Sequence, residues 1–142
     1  MSAARPIDDE VAAILADPNK RISGELRWAD DEDASGQEFL APVTCAAGDL
    51  QVRGQRCPAA GTLRFALISR GIGRLTALEL GPPGPRFYRW SPGRRDAFTK
   101  LPTEPTLSPD DPHLAWRLFC SLCNLSHDGE LGDAPPTQEP LL

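Results

Sequence analysis

The strongest constraint on the fold is a series of short segments between residues 21 and 80 in which apolar and polar side chains alternate. A period of two indicates strands that are buried on one face. The segments lie at about residues 21–28, 39–45, 50–55, 62–69 and 74–80. Because the connections are too short for a crossover helix, neighbouring strands must run antiparallel. The sequence therefore predicts an antiparallel meander sheet of five or six strands.

A helix is predicted on each side of this region. Asp8 or Asp9 can cap a short helix that ends near Asp17. A second helix is predicted over residues 112–124, where Pro112 suits the first turn and few side chains are polar. A helix this apolar must be buried, most simply against one face of the sheet, so the predicted fold class is α+β.

The length of 142 residues supports a single domain, which we expect to span residues 1–128. Residues 129–142 are acidic and proline-rich, with little to bury, and are predicted to form a disordered tail. Residues 81–112 contain 8 of the 15 prolines. We predict irregular structure there, because proline interrupts both helices and central strands.

The sequence has features of a cytoplasmic protein with no membrane partner. No stretch approaches the roughly 20 apolar residues that a membrane helix needs. Residues 1–9 contain two aspartates where a signal peptide would carry basic residues. In the reducing cytoplasm, the four cysteines should stay free thiols.

Cys120 and Cys123, followed by His127, have a spacing that suggests metal or redox chemistry. However, a zinc ribbon needs a second close cysteine pair, and a reactive pair belongs at a helix N-terminus, whereas this pair lies at a C-terminal end. We interpret the two thiols as core packing and predict neither a metal nor a cofactor. The alternative is a zinc site formed by these three residues and one distant cysteine.

The net charge of -5 conceals an uneven distribution. Residues 51–100 carry a net +8, against -7 for residues 1–50 and -6 for residues 101–142. Within the basic block, four arginines and three aromatic rings lie in the ten residues 86–95, a composition typical of protein hot spots and of single-strand binders. The predicted binding residues are Arg86, Tyr88, Arg89, Trp90, Arg94 and Arg95.

Strand alternation predicts that Arg86, Tyr88 and Trp90 share one face of this segment, while Phe87 and Arg89 share the other. The alternative is purely structural. In that case the aromatic rings close the edge of the core, and the arginines meet water or the chain's own acidic blocks.

Several segments carry a family resemblance: residues 61–68, residues 74–81, Trp90, and the set Trp116, Phe119, Cys120 and Asn124. With these segments, the chain resembles a family of small uncharacterised bacterial proteins over roughly residues 21–128. Family members carry several histidines just before the tryptophan that corresponds to Trp90. Residues 82–89 contain no histidine, so any histidine-based chemistry of the family is missing here. The resemblance itself implies no known activity.

These observations favour a small non-enzymatic binding or accessory protein that acts through a protein-protein interface on the basic aromatic segment. The only two histidines have no triad spacing, and no phosphate-binding glycine loop is present. The alternative is a nucleic-acid-binding or nuclease-like protein that uses the same arginines and aromatic rings.

Overall fold

The computed structural model describes residues 6–30, 36–46, 48–82, 84–91, 94–99 and 107–133. The helices are α1 (Pro6–Ala16) and α2 (Pro112–Leu122), with a short 3₁₀ turn at Pro58–Ala60. The strands are β1 (Lys20–Ser23), β2 (Ala29–Asp30), β3 (Gln37–Val43), β4 (Leu50–Cys57), β5 (Thr62–Ser69), β6 (Gly73–Leu80), β7 (Arg86–Ser91), β8 (Arg94–Thr99) and β9 (Leu125–Asp128). No helix among these residues is long and apolar enough to cross a membrane.

The main sheet is an antiparallel meander in which strands β2 to β8 lie side by side in chain order. Because β2 has only two residues, six strands carry most of the sheet. The predicted α+β class and the antiparallel meander are therefore confirmed. As the sequence indicated, the short turns make each strand pair with the next one along the chain.

Residues 21–28 were expected to form the first strand of the meander, but they lie outside it. Their alternation is real, because Ile22, Leu26 and Trp28 are all buried. However, Gly24 has a φ of +88°, a conformation that favours glycine, and it ends β1 at Ser23. β1 pairs in parallel with β9 to form a separate two-stranded sheet. Alternation identified the buried face of this segment but not its pairing partner.

The proline-rich region is more regular than predicted. β7 and β8 form a hairpin that extends the meander past β6, at the end of the sheet opposite β2. None of the eight prolines of this region falls within β7 or β8, and Pro112 begins α2. They therefore restrict where the strands begin and end without preventing pairing.

The core lies between one face of the sheet, the inner face, and the two helices. The ring of Phe65 on β5 lies 5.2 Å from Trp116 and 5.8 Å from Phe119, both on α2. Phe39 on β3 makes an edge contact with Trp116 at 5.8 Å. The predicted burial of the second helix is thus confirmed. Its N-terminus is capped by Asp111, whose side chain accepts a hydrogen bond from the Leu114 amide at 3.2 Å.

Lys20 holds the C-terminal end of α1 from within the core. Its side chain is entirely buried, and Nζ donates to the carbonyl oxygens of Ile14 (2.7 Å), Leu15 (3.1 Å) and Asp17 (2.6 Å). A helix end leaves such carbonyls without intrahelical donors, and the helix dipole favours a cation there. Burial lowers the pKa of the Lys20 ammonium, and the nearby Asp17 carboxylate opposes this effect.

The packed chain continues beyond residue 128, where the tail was predicted to begin. Leu131 is buried and bridges Leu26, and the Gly132 amide donates to the Leu26 carbonyl at 2.7 Å. Residues 129–133 therefore extend the contacts of the β1–β9 pair. The rest of the predicted tail, residues 134–142, lies outside the described residues.

Replacing the buried ammonium tests its role at the helix end. Lys20→Met leaves three carbonyls without their donor, so we expect the free energy of unfolding to fall by about 3 kcal/mol in urea denaturation. Arg21→Met is the matched control, because Arg21 is exposed and forms an ion pair with the equally exposed Asp128. Its expected cost is about 0.5 kcal/mol. Equal effects of the two substitutions would contradict the assigned role.

Gly54 provides a second test, which concerns the close packing of the Phe39 ring against the backbone of β4. A methyl group at this position would collide with the ring of Phe39 on the neighbouring strand. We expect Gly54→Ala to destabilise the fold by about 2 kcal/mol, because the ring must leave its place against Trp116. Gly71→Ala, in a turn with open space around the position, should leave the melting temperature nearly unchanged.

Candidate binding surface

The face of the main sheet opposite the helices carries mostly polar and small side chains, and we call it the outer face. Strand register places one row across five strands, from β3 to β7: Leu40, Arg53, Ala66, Ala77 and Tyr88. A second row consists of Glu38, Gln55, Arg64, Glu79 and Arg86. Beside these rows lie Gln51, Ile68 and Arg74. Side chains that are far apart in sequence thus form one continuous surface.

Arginine dominates this surface, and we define the arginine face as Arg53, Arg64, Arg74, Arg86 and Tyr88 together with the small and apolar residues between them. Two of its arginines are paired with glutamates of the same face: Arg53 with Glu38 at 2.9 Å and Arg64 with Glu79 at 3.3 Å. The guanidinium of Arg74 lies 5.9 Å from the centroid of the Tyr88 ring, a distance typical of a cation–π contact.

The arginine face keeps an excess of positive charge. Its described residues include four arginines and two glutamates, and Arg86 forms no ion pair with any described residue. These ion pairs are partly open to water, which screens them, so each contributes about 1 kcal/mol or less to stability. The arginines of this face can therefore be substituted without loss of the fold.

An apolar area accompanies these charges. Ala66 and Ala77 leave the centre shallow, and Leu40 is 61% exposed, which is unusual for so large an apolar side chain. Leu40, Ile68 and Arg53 line an open groove of about 580 Å³ at the β3 side of the face. An exposed apolar area beside arginines is the composition expected of a protein-binding surface.

The structure divides the predicted binding residues between different surfaces. Arg86 and Tyr88 lie on the arginine face, as alternation predicts. Phe87 is buried in the core, and Arg89 shares its inner side of the sheet, opposite the buried Thr76. Arg94 and Arg95 lie on β8, and their side chains fall outside the described part of the structure.

Trp90 departs from the predicted alternation. The pairing of β7 with β8 shifts register between Arg89 and Ser91, a bulge that changes the direction of the intervening side chain. The Trp90 indole packs against the core, and its Nε1 donates to the Asp8 carboxylate on α1 at 2.9 Å. The ring is therefore on the helix side and links β7 to the first turn of α1.

Three members of the arginine face were not among the residues predicted from the sequence: Arg53, Arg64 and Arg74. Alternation places each of them on the solvent side of its own strand. These three residues come from three successive strands. Only the register between those strands shows that their side chains lie beside Arg86 and Tyr88.

The structure does not support the alternative prediction of a zinc site formed by Cys120, Cys123, His127 and a distant cysteine. Among the described residues, no group of three or more metal-ligating side chains is close enough to hold an ion. The Cys123 thiol is hydrogen-bonded with Thr76 at 3.1 Å, and both His127 ring nitrogens are engaged, with the Trp116 indole and the Gly24 carbonyl. Burial raises the pKa of Cys120 and of Cys123 to about 12.

These pKa values predict unreactive thiols. At pH 8, Cys120 and Cys123 should resist iodoacetamide in the folded protein and react after denaturation, because the thiolate is the nucleophile. Since folding raises both pKa values, the stability that these thiols contribute should be lost as pH rises from about 9 towards 12. Peptide mass spectrometry of labelled protein measures the first effect. Labelling of either thiol in the native state at the rate seen in denaturant would contradict it.

A scan against protein-family models, a search of curated proteins and a search of solved structures each found no match. The family resemblance of the sequence therefore remains a prediction, and the functional argument rests on the geometry of the arginine face.

Proposed function

We propose that this chain is a non-enzymatic binding protein whose arginine face contacts an acidic surface of a partner protein. The observation that supports the proposal most directly is the combination, on the described outer face, of excess positive charge with the exposed Leu40 and the open groove beside it. The arginines steer association and select the partner, while Leu40 and its groove supply apolar contact area. A partner with carboxylates around an apolar projection has the matching chemistry.

A protein partner fits this face better than a nucleic acid does. Trp90 and Phe87 pack towards the core, so Tyr88 is the aromatic ring of the outer face whose side chain the structure describes. Glu38 and Glu79 lie among the arginines and would repel a phosphate backbone. Stacking of successive bases requires several exposed rings.

Reversal of two charges tests the proposal. We expect the double variant Arg74→Glu/Arg86→Glu to lose at least about 100-fold in affinity for a purified partner, measured by titration calorimetry, because repulsion replaces attraction at the face. The matched control is Arg21→Glu/Arg70→Glu, which carries the same charge change on β1 and in the β5–β6 turn, at exposed positions outside the face. It should bind within about threefold of the original chain, since long-range effects are screened by salt.

Two results would count against the proposal. An unchanged affinity of the Arg74/Arg86 variant would remove the arginine face from the interface. If the double variant instead lost affinity for a single-stranded oligonucleotide, with a steep dependence on salt, while keeping its protein partner, the nucleic-acid alternative would replace it. Urea denaturation of both double variants checks that the fold is retained.

A further inference from the structure

A second groove lies on the other side of the molecule, between α2 and the chain that returns along it after β9. It has a volume of about 680 Å³, within the range of small-molecule sites. One wall consists of His113, Arg117 and Ser121, which are spaced four residues apart and so share one side of α2. At 1.5 Å per residue, this wall is about 12 Å long. The opposite wall consists of residues 129–131.

The bottom of this α2–β9 groove is apolar. Trp116, Leu125 and Leu131 are buried residues that line it, and the half-buried Cys120 completes the lining. Because the Cys120 thiol has its pKa raised by burial, it is a neutral contact surface there and not an anion. A ligand in the groove would therefore place an apolar group against these side chains.

The two histidines fix the shape of the groove. His113 Nε2 lies 2.8 Å from the Asp133 carboxylate, which links α2 to the returning chain. The Trp116 indole can only donate, so His127 Nδ1 accepts its hydrogen bond at 3.1 Å. His127 Nε2 then carries the proton and donates to the Gly24 carbonyl at 2.7 Å. Both rings act as internal links, which leaves other side chains to recognise a ligand.

Arg117 and Glu130 are the charged groups that remain. They lie on opposite walls, both are exposed, and neither forms an ion pair with a described residue. A ligand with a single charge would satisfy one of them and be repelled by the other. A ligand that carries a carboxylate and an ammonium group can satisfy both, through charge-assisted hydrogen bonds.

We propose that the α2–β9 groove binds a small zwitterion with an apolar side chain, the chemical class of the apolar α-amino acids. Arg117 receives the carboxylate, Glu130 accepts from the ammonium group, and the apolar side chain lies against Leu125 and Leu131. This site is separate from the arginine face, so its occupation does not depend on the function proposed above.

The full chain can be titrated with L-phenylalanine and L-leucine by calorimetry, with two-dimensional NMR of the backbone amides to locate the site. We expect saturable binding, with shifts centred on α2 and residues 129–131. Arg117→Gln and Glu130→Gln should each weaken binding about tenfold or more, the expected cost of losing one charged hydrogen bond. Glu10→Gln and Arg70→Gln are the matched controls, since both residues are exposed and distant from the groove.

Modified ligands separate the two charge contacts. L-phenylalanine amide lacks the carboxylate, so Arg117→Gln should not weaken its binding further, whereas Glu130→Gln should. N-acetyl-L-phenylalanine lacks the ammonium group and should show the reverse. The proposal is overturned if neither amino acid binds up to about 10 mM, or if Arg117→Gln binds them as well as the original chain does.

Discussion

The buried ammonium of Lys20 is the contact on which the arrangement of the helices depends. It is the first residue of β1, it donates to the last carbonyls of α1, and it pairs in register with Leu125 of β9. The side chain of Asn124 donates to the same end of α1, at the Leu15 carbonyl. Both terminal regions of the domain therefore meet at one point, where a cation satisfies carbonyls that no helix can satisfy internally.

This junction brings both helices to one face of the sheet, and neither helix covers the opposite face. The aromatic rings of β3 and β5 are covered by α2, while the arginines of β4 to β7 are not. The uneven charge of the chain thus has a structural counterpart. The basic block consists largely of the sheet, and the acidic blocks flank it, so its arginines lie side by side across neighbouring strands.

The two candidate sites differ in how they are built. The arginine face is a broad, shallow surface whose side chains come from five strands, which suits a macromolecular partner. The α2–β9 groove has an apolar bottom and carries one charge on each wall, which suits a small ligand. Because they lie on opposite sides of the core, each can be altered without changing the other.

Local patterns in the sequence determined strands β3 to β6, the turns between them and the two helices. A period of two identifies a strand and its buried face, and proline and aspartate mark where α2 begins, because these signals act between residues close in the chain. The same alternation correctly placed Arg86 and Tyr88 on one face of β7 and Phe87 on the other, and the packed core then decided which face is buried. It failed at Trp90, where a bulge changes the period.

Only the tertiary structure decided which distant segments meet. The parallel pairing of β1 with β9 joins residues about a hundred positions apart, and no local pattern indicates such a partner. Likewise, Arg53, Arg64 and Arg74 join Arg86 in one surface through sheet register, and Trp90 reaches Asp8 through the packing of α1. These contacts depend on how whole elements pack, because burial of the shared core, and not the preference of any one segment, selects among the alternatives.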